Sequence, residues 1–210
     1  MTKIFFAGNF LSKTTSVRGI CEEQAEYFCV IGWEDYSASS YKNRILRMAD
    51  FLWTAWCYRN NYKLVLVEVY SFLAFQWAEL LCFFLRLLHK NYVLTLHGGK
   101  LVEFALANPK RFRKLILSAD RVTTPSKFLL NQFSKIRNDI IWLPNGIHIS
   151  FYEFKHRRHV MPKLVWLRAL HETYAPTMAV EVLHILQDKF PSISLTMVGP
   201  DKGDGSLEKV

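Results

Sequence analysis

KLVLVEV, at residues 63–69, decides the fold. A run of Leu and Val without polar alternation is what a parallel strand covered on both faces requires, whereas a strand with one wet face alternates apolar and polar residues. The segments on either side repeat the theme. Upstream, residues 3–7 form a short apolar run that stops at Gly8-Asn9, and an amphipathic stretch follows from about 17 to 31. Residues 33–37 read as a second strand, and residues 41–60 as a helix with Ile45, Leu46, Ala49, Leu52, Trp53 and Trp56 at helical spacing. Downstream come a helix at 71–88, a strand at 92–96, helices around 101–107 and 109–118, a strand at 121–124, a helix at 127–133 and a strand at 139–143. Strands alternating with helices imply right-handed crossovers and a doubly wound parallel sheet, the Rossmann-like α/β class.

Pro144-Asn145-Gly146 closes that series. Residues 1–150 therefore form a first Rossmann-like domain, and the basic, aromatic segment 151–162 a linker. Residues 163–210 start a second domain, with a strand at 163–167, a helix at 176–190 and a strand at 192–198. Two strands and one helix cannot cover both faces of their own sheet, so this second Rossmann-like domain is expected to be incomplete. Lys202-Gly203-Asp204-Gly205-Ser206 has the composition of a mobile loop.

Half of the 210 residues are hydrophobic and 15% aromatic, which supplies a packed core and argues against disorder. Lys and Arg outnumber Asp and Glu by 27 to 18, a net charge of +9 that favours phosphorylated ligands, nucleic acid or an anionic membrane face. Nucleic acid is disfavoured because the basic residues do not gather on one predicted helix. The runs Lys110, Arg111, Arg113, Lys114 and Lys155, Arg157, Arg158 read as a solvated face or as a membrane or phosphate contact. Residues 71–88 tempt a transmembrane reading, yet Gln76, Glu79 and Arg86 interrupt them; a buried crossover helix is expected, with a peripheral membrane contact left open by Phe72, Phe75, Trp77, Phe83 and Phe84. Cys21, Cys29, Cys57 and Cys82 are widely spaced, with no C-x-x-C pair and no metal-ligand spacing to a histidine, so no metal is expected. With no signal-peptide pattern at the start, the reading is cytoplasmic.

In open parallel sheets ligands sit beyond the carboxyl ends of the strands. Gly8-Asn9 follows the first strand and opens a polar loop through Ser12, Lys13, Thr14, Thr15 and Ser16, which fits neither G-x-G-x-x-G nor a P-loop. After the strand at 92–96 stands His97-Gly98-Gly99, a titratable ring with two residues that give access to backbone. Ser126 reads as a helix N-cap or as a group facing a cleft. Arg168 follows the strand at 163–167; it could hold a diphosphate bidentately or pair with Glu172. Gly199 ends the last strand, where it reads as a simple turn or as a place for a nucleotide to approach backbone.

Taken in order, GNFLSKT at 8–14, VYS at 69–71, TLHGG at 95–99, TPS at 124–126, LPNGI at 143–147, WLRALHETYAP at 166–176 and LTMVGPDKGDGS at 195–206 resemble the family 4 glycosyltransferases. The resemblance spans nearly the whole chain, and it is the ordered set rather than any one string that is specific. It implies a GT-B architecture with an acceptor-binding first domain and a donor-binding second domain. By the same resemblance the reaction transfers a sugar from a nucleotide-diphosphate sugar to a glycan or lipid-linked acceptor, as in polysaccharide biosynthesis, with retention and without metal or other cofactor. His97 with Gly98 and Gly99 would border the reacting sugar, Gly8 and Asn9 would line the same cleft, and Arg168 would bind the donor diphosphate. Three departures stand out: Thr173-Tyr174 where the family places a lysine, Lys100 after the two glycines, and Thr15-Ser16 where glycines are usual. The family's two glutamates with seven residues between them would lie beyond Val210, which implies a truncated chain. Glu26 and Glu34 have that spacing but fall in the wrong domain. The alternative is a non-catalytic acceptor- or membrane-binding module.

Overall fold

The computed structural model describes residues 3–12, 18–147, 149, 152–156, 158–159 and 161–210. The chain divides into two compact units, Met1–His148 and Ile149–Val210.

The first unit is built on strands β1 (Lys3–Ala7), β2 (Glu34–Ala38), β3 (Leu64–Val69), β4 (Asn91–Leu96), β5 (Arg121–Thr124) and β6 (Ile141–Trp142), all parallel and ordered β2-β1-β3-β4-β5-β6. Helices α1 (Ile20–Val30), α2 (Arg44–Cys57), α3 (Leu73–Leu87), α4 (Lys100–Ala107), α5 (Pro109–Ser118) and α6 (Lys127–Phe133) connect them. The chain leaves β1 toward β2 on one side and returns to β3 on the other, so the direction of winding reverses between β1 and β3. That reversal is where an open α/β sheet leaves a crevice beyond its strand ends.

The larger core lies on one face, where Phe5, Val65, Val67, Val69, Leu94 and Leu96 meet Phe51, Phe75, Leu85, Phe112 and Phe133 from the helices. The other face is thinner: Ile4, Phe6 and Ala25 of α1 form a small cluster with Phe28, Trp33, Leu64 and Leu66. Burial along β3 therefore alternates, with Val65, Val67 and Val69 sealed and Leu64, Leu66 and Glu68 partly covered. The uniform run predicts equal burial on both faces; among the described residues α1 is the helix packed on the second face, which is left half-covered.

Helix ends are set by local hydrogen bonds. α2 starts at Arg44, not at 41, because the Asn43 side chain accepts from the N–H groups of Ile45 and Leu46. Glu22 turns back to accept from Gly19 N–H at 3.0 Å and fixes the start of α1 at Ile20. Residues 13–17, which include much of the polar loop and the first residue of the expected helix, lie outside the described residues. The strand expected at 139–143 shrinks to the two-residue edge strand β6. α5 turns Phe112, Leu115 and Ile116 inward and Lys110, Arg111, Arg113 and Lys114 to solvent, with Arg111 paired to Glu79; of the second basic run, Arg157 lies outside the described residues. α3 is a crossover helix with Phe75, Leu81 and Leu85 buried, and among the described residues no helix is long and apolar enough to cross a membrane. All four cysteines are free thiols.

The second unit holds β7 (Lys163–Leu167), α7 (Pro176–Gln187) and β8 (Ser194–Val198), with β7 and β8 paired in parallel. α7 lies against one face, and the other is open: Val165, Leu167 and Val198 are 72%, 71% and 51% exposed. The segment 202–206, expected to be mobile from its composition, is tied down. Asp204 accepts from the N–H groups of Glu172 at 2.8 Å and Ser206 at 3.1 Å, and Ser206 is buried. Two aspartates accepting backbone donors, Asp201 from Gly203 and Asp204 from Ser206, outweigh the freedom its glycines would give.

Candidate functional site at the strand ends

The reversal point brings together the residues that follow β1, β3 and β4. Gly8 leads out of β1 and exchanges backbone hydrogen bonds with Ala38 and Ser39 beside β2. A Cβ on Gly8 would lie 2.8 Å from Cys21 Sγ and 3.0 Å from Glu68 Oε2, so the missing side chain is what lets α1 and β3 close on this corner. Asn9 accepts through Oδ1 from Arg47 Nη1 at 2.5 Å.

Glu68 is the group the sequence reading passed over. Its side chain is 9% exposed, Oε2 lies 3.4 Å from the Tyr70 hydroxyl, and Oε1 has no partner among the described residues. Burial pushes its carboxyl up to about 7 despite hydrogen bonding from Asn9, Tyr70 and Cys21. The same burial raises the Cys21 thiol and the Tyr70 hydroxyl far above neutrality, so both keep their protons. The signal was present as a carboxylate ending an otherwise apolar run, but nothing in the run says what the carboxylate faces.

His97 donates its backbone N–H to Val69 O at 2.9 Å and stacks on Tyr70 with ring centroids 5.1 Å apart. It is only 5% exposed, and its Nε2, 3.7 Å from Glu68 Oε1, is a second buried atom without a partner among the described residues. Burial lowers its pKa to about 4, so the ring is neutral near pH 7 and offers a hydrogen bond rather than a charge. Gly98 takes φ +84, a conformation that costs any other residue about 1–2 kcal/mol, and Gly99 opens α4 with free space around its Cα.

Gly8, Asn9 and His97 are thus joined through Glu68, with Gly98 and Gly99 adjoining. Ser126 is the N-cap of α6, accepting from Leu129 N–H at 3.3 Å. In the second unit the Arg168 guanidinium lies over the Tyr174 ring at 5.3 Å and makes no ion pair with Glu172 among the described residues. Gly199 is required by its own chain: a Cβ there would fall 1.5 Å from the carbonyl oxygen of Arg168. Among the described residues no cluster of His, Cys, Asp or Glu side chains could hold a metal ion.

No protein-family model and no curated protein sequence matches the chain. Solved structures do. An alpha-glucosyltransferase in complex with UDP and a 13-mer DNA containing a HMU base aligns over 99% of the chain at 13% identity and a TM-score of 0.57. The alpha-glucosyltransferase in complex with UDP-glucose and DNA containing an abasic site aligns over 99% at 13% identity and a TM-score of 0.56. A putative UDP-N-acetylglucosamine 2-epimerase from Listeria monocytogenes aligns over 99% at 12% identity and a TM-score of 0.54. The chain spans 59%, 58% and 65% of those chains respectively. At such identities the likeness is one of fold: the GT-B-like, Rossmann-type α/β architecture expected from the sequence is the one these structures share.

Proposed function

We propose that the protein belongs to a glycosyltransferase system of the family 4 kind, moving a sugar from a nucleoside-diphosphate sugar to a glycan or lipid-linked acceptor with retention. The observation that carries the reading is the crevice at the β1–β3 reversal, lined by Gly8, Asn9 and Glu68, with His97 buried beside Glu68. Fold likeness along 99% of the chain to proteins solved with UDP and UDP-glucose supports it. In this reading the first unit takes the acceptor, and His97, Gly98 and Gly99 border the reacting sugar. Arg168, whose guanidinium lies over the Tyr174 ring, takes the donor diphosphate through two parallel hydrogen bonds to phosphate oxygens. The reading invokes no metal or other cofactor.

The test is titration of the chain with UDP and UDP-glucose by calorimetry. Arg168→Ala is expected to weaken binding roughly tenfold to a hundredfold, the worth of a charge-assisted pair of hydrogen bonds. Unchanged affinity in that variant removes the phosphate role.

A second reading, a non-catalytic acceptor- or membrane-binding module, draws on one surface. Trp53 and Trp56 of α2 and Leu80, Phe83 and Leu87 of α3 are exposed, and Arg59 and Arg86 lie over the Trp56 and Phe83 rings at 4.1 and 6.0 Å. Exposed aromatics beside arginines suit an anionic bilayer surface, which would place the protein peripherally at the inner face of the cytoplasmic membrane. Co-sedimentation with phosphatidylglycerol vesicles, weakened severalfold by the double substitution Trp53→Ser and Phe83→Ser, is the expected result. A chain that stays in the supernatant at low salt rules this surface out.

A further inference from the structure

Beside the Gly8–Glu68 corner a groove of about 330 Å³ runs between the first turn of α2 and the start of α3, lined by Arg44, Arg47, Ser71, Phe72 and Trp77. It shares Arg47 and Trp77 with a smaller cavity of about 60 Å³ that reaches Asn9 and Glu68. At the low end of the roughly 300–1,000 Å³ typical of ligand sites, the groove suits a molecule of monosaccharide size.

Its electrostatics are unbalanced. Arg44 and Arg47 both sit in the opening turns of α2, where the helix dipole disfavours cations, and the first turn holds no acidic residue. Neither arginine has a carboxylate partner among the described residues. Burial, and then the charge of Arg44, lower the pKa of Arg47. Yet Arg47 is held in place: Nε and Nη2 donate to Tyr41 O at 3.0 and 2.8 Å, and Nη1 to Asn9 Oδ1 at 2.5 Å. Three of the five guanidinium N–H groups are thereby used, leaving one on each terminal nitrogen to donate to a carboxylate or phosphate oxygen. At the far end the smaller cavity is lined by Glu68, whose nine-tenths-buried carboxyl is an acceptor suited to a hydroxyl. Phe72, at φ 58 and 50% exposed, presents a ring on the wall between.

From this we infer that the groove is a subsite for an anionic sugar: Arg44 and Arg47 hold its carboxylate or phosphate, Phe72 lies along the ring, and Glu68 accepts from a hydroxyl. The inference rests on the transferase reading in taking this sugar as the acceptor end, and it narrows that acceptor to an acidic carbohydrate.

The experiment titrates the chain with glucose 6-phosphate, glucuronate, glucose and inorganic phosphate, by calorimetry at low and at physiological salt. Both anionic sugars are expected to bind at least about tenfold more tightly than glucose and than phosphate alone, and to weaken as salt rises. Arg44→Gln, at an exposed position, and Arg47→Gln should each reduce their affinity about fivefold or more, with Arg47→Lys recovering part of the loss. The alternatives overturn the subsite: glucose or inorganic phosphate binding as well as glucose 6-phosphate, indifference to both Gln variants when the melting curves match wild type, or a short DNA duplex binding more tightly through the same arginines. A parallel UDP titration separates the two levels. Sugar-phosphate binding without UDP binding defeats the transferase reading and leaves the subsite standing; UDP binding without discrimination among the sugars does the reverse.

Discussion

Gly199→Ala is expected to destabilise the Ile149–Val210 unit by about 3 kcal/mol or more and to strip amide protection from the carboxyl ends of β7 and β8. The new Cβ would lie 1.5 Å from the Arg168 carbonyl oxygen, 2.5 Å from its carbon and 3.2 Å from Ala169 Cα. All three are backbone atoms, so no rotamer change relieves the overlap and the strand ends must separate. Separation breaks Arg168 N–H to Val198 O at 3.1 Å and Leu170 N–H to Pro200 O at 2.9 Å. With an open face and only Leu170, Pro176 and Ser206 buried among its described residues, the unit has little core to absorb the loss. Gly99→Ala is the control: its Cβ meets nothing within 4 Å, and its φ of −62 suits any residue, so the change should fall within about 0.5 kcal/mol. Hydrogen exchange at the Arg168 and Leu170 amides reads the effect. Wild-type protection in Gly199→Ala would mean that the two strand ends are not held together as described.

Above pH 7, Glu68→Gln is expected to be more stable than the parent by about 3 kcal/mol. The carboxyl rises from its ordinary 4.5 to about 7 on burial, and 1.36 kcal/mol accrues for each pH unit between those values. A raised carboxyl contributes its stability below 4.5 and loses it as pH climbs through about 7. His97, lowered from 6.5 to about 4, has the opposite sign: its contribution is present above 6.5 and lost as pH falls through about 4. Between 4.5 and 6.5 the two slopes oppose, so this pair gives the parent a plateau. In Glu68→Gln the plateau becomes a rise from about pH 4 to 6.5 followed by a level stretch; in His97→Gln it becomes a fall from 4.5 to 7. Cys21 and Tyr70, which face Glu68, keep their protons throughout and add no slope. Denaturant midpoints taken from pH 4 to 8.5 test this, and a Glu68→Gln curve parallel to the parent's would show that Glu68 does not titrate in that window.

The two experiments probe the same feature in different units, a strand end where backbone or side chain is packed too closely for substitution. In the first unit the closeness serves a crevice. Gly8 is small because Cys21 and Glu68 fill the space beside it, and Glu68 is desolvated because α1 covers it. In the second unit the closeness secures the turn that carries Arg168, so losing the Gly199 contact would also displace the guanidinium proposed to hold phosphate.

By itself the sequence determined the parallel sheet. The apolar run at 63–69, the order of strands and helices, and the glycines after strand ends follow from local chemistry: continuous apolar residues, 3.6-residue spacing and the absence of a Cβ each act within a few positions of the chain. His97, Gly8 and Asn9 were legible as candidates because the rule about strand ends needs only topology. Helix boundaries were less so, since Asn43 and Glu22 fix them through single side-chain bonds. What only the tertiary structure decided is which groups meet. Glu68 and His97 are 29 positions apart and Arg47 and Asn9 are 38 apart, yet the first pair meets at the ends of β3 and β4 and the second where β1 and α2 converge. Burial shared across that distance sets the protonation of Glu68 and His97 and leaves their facing atoms unpartnered, and desolvation depends on all the elements that exclude water, which no single segment of sequence encodes.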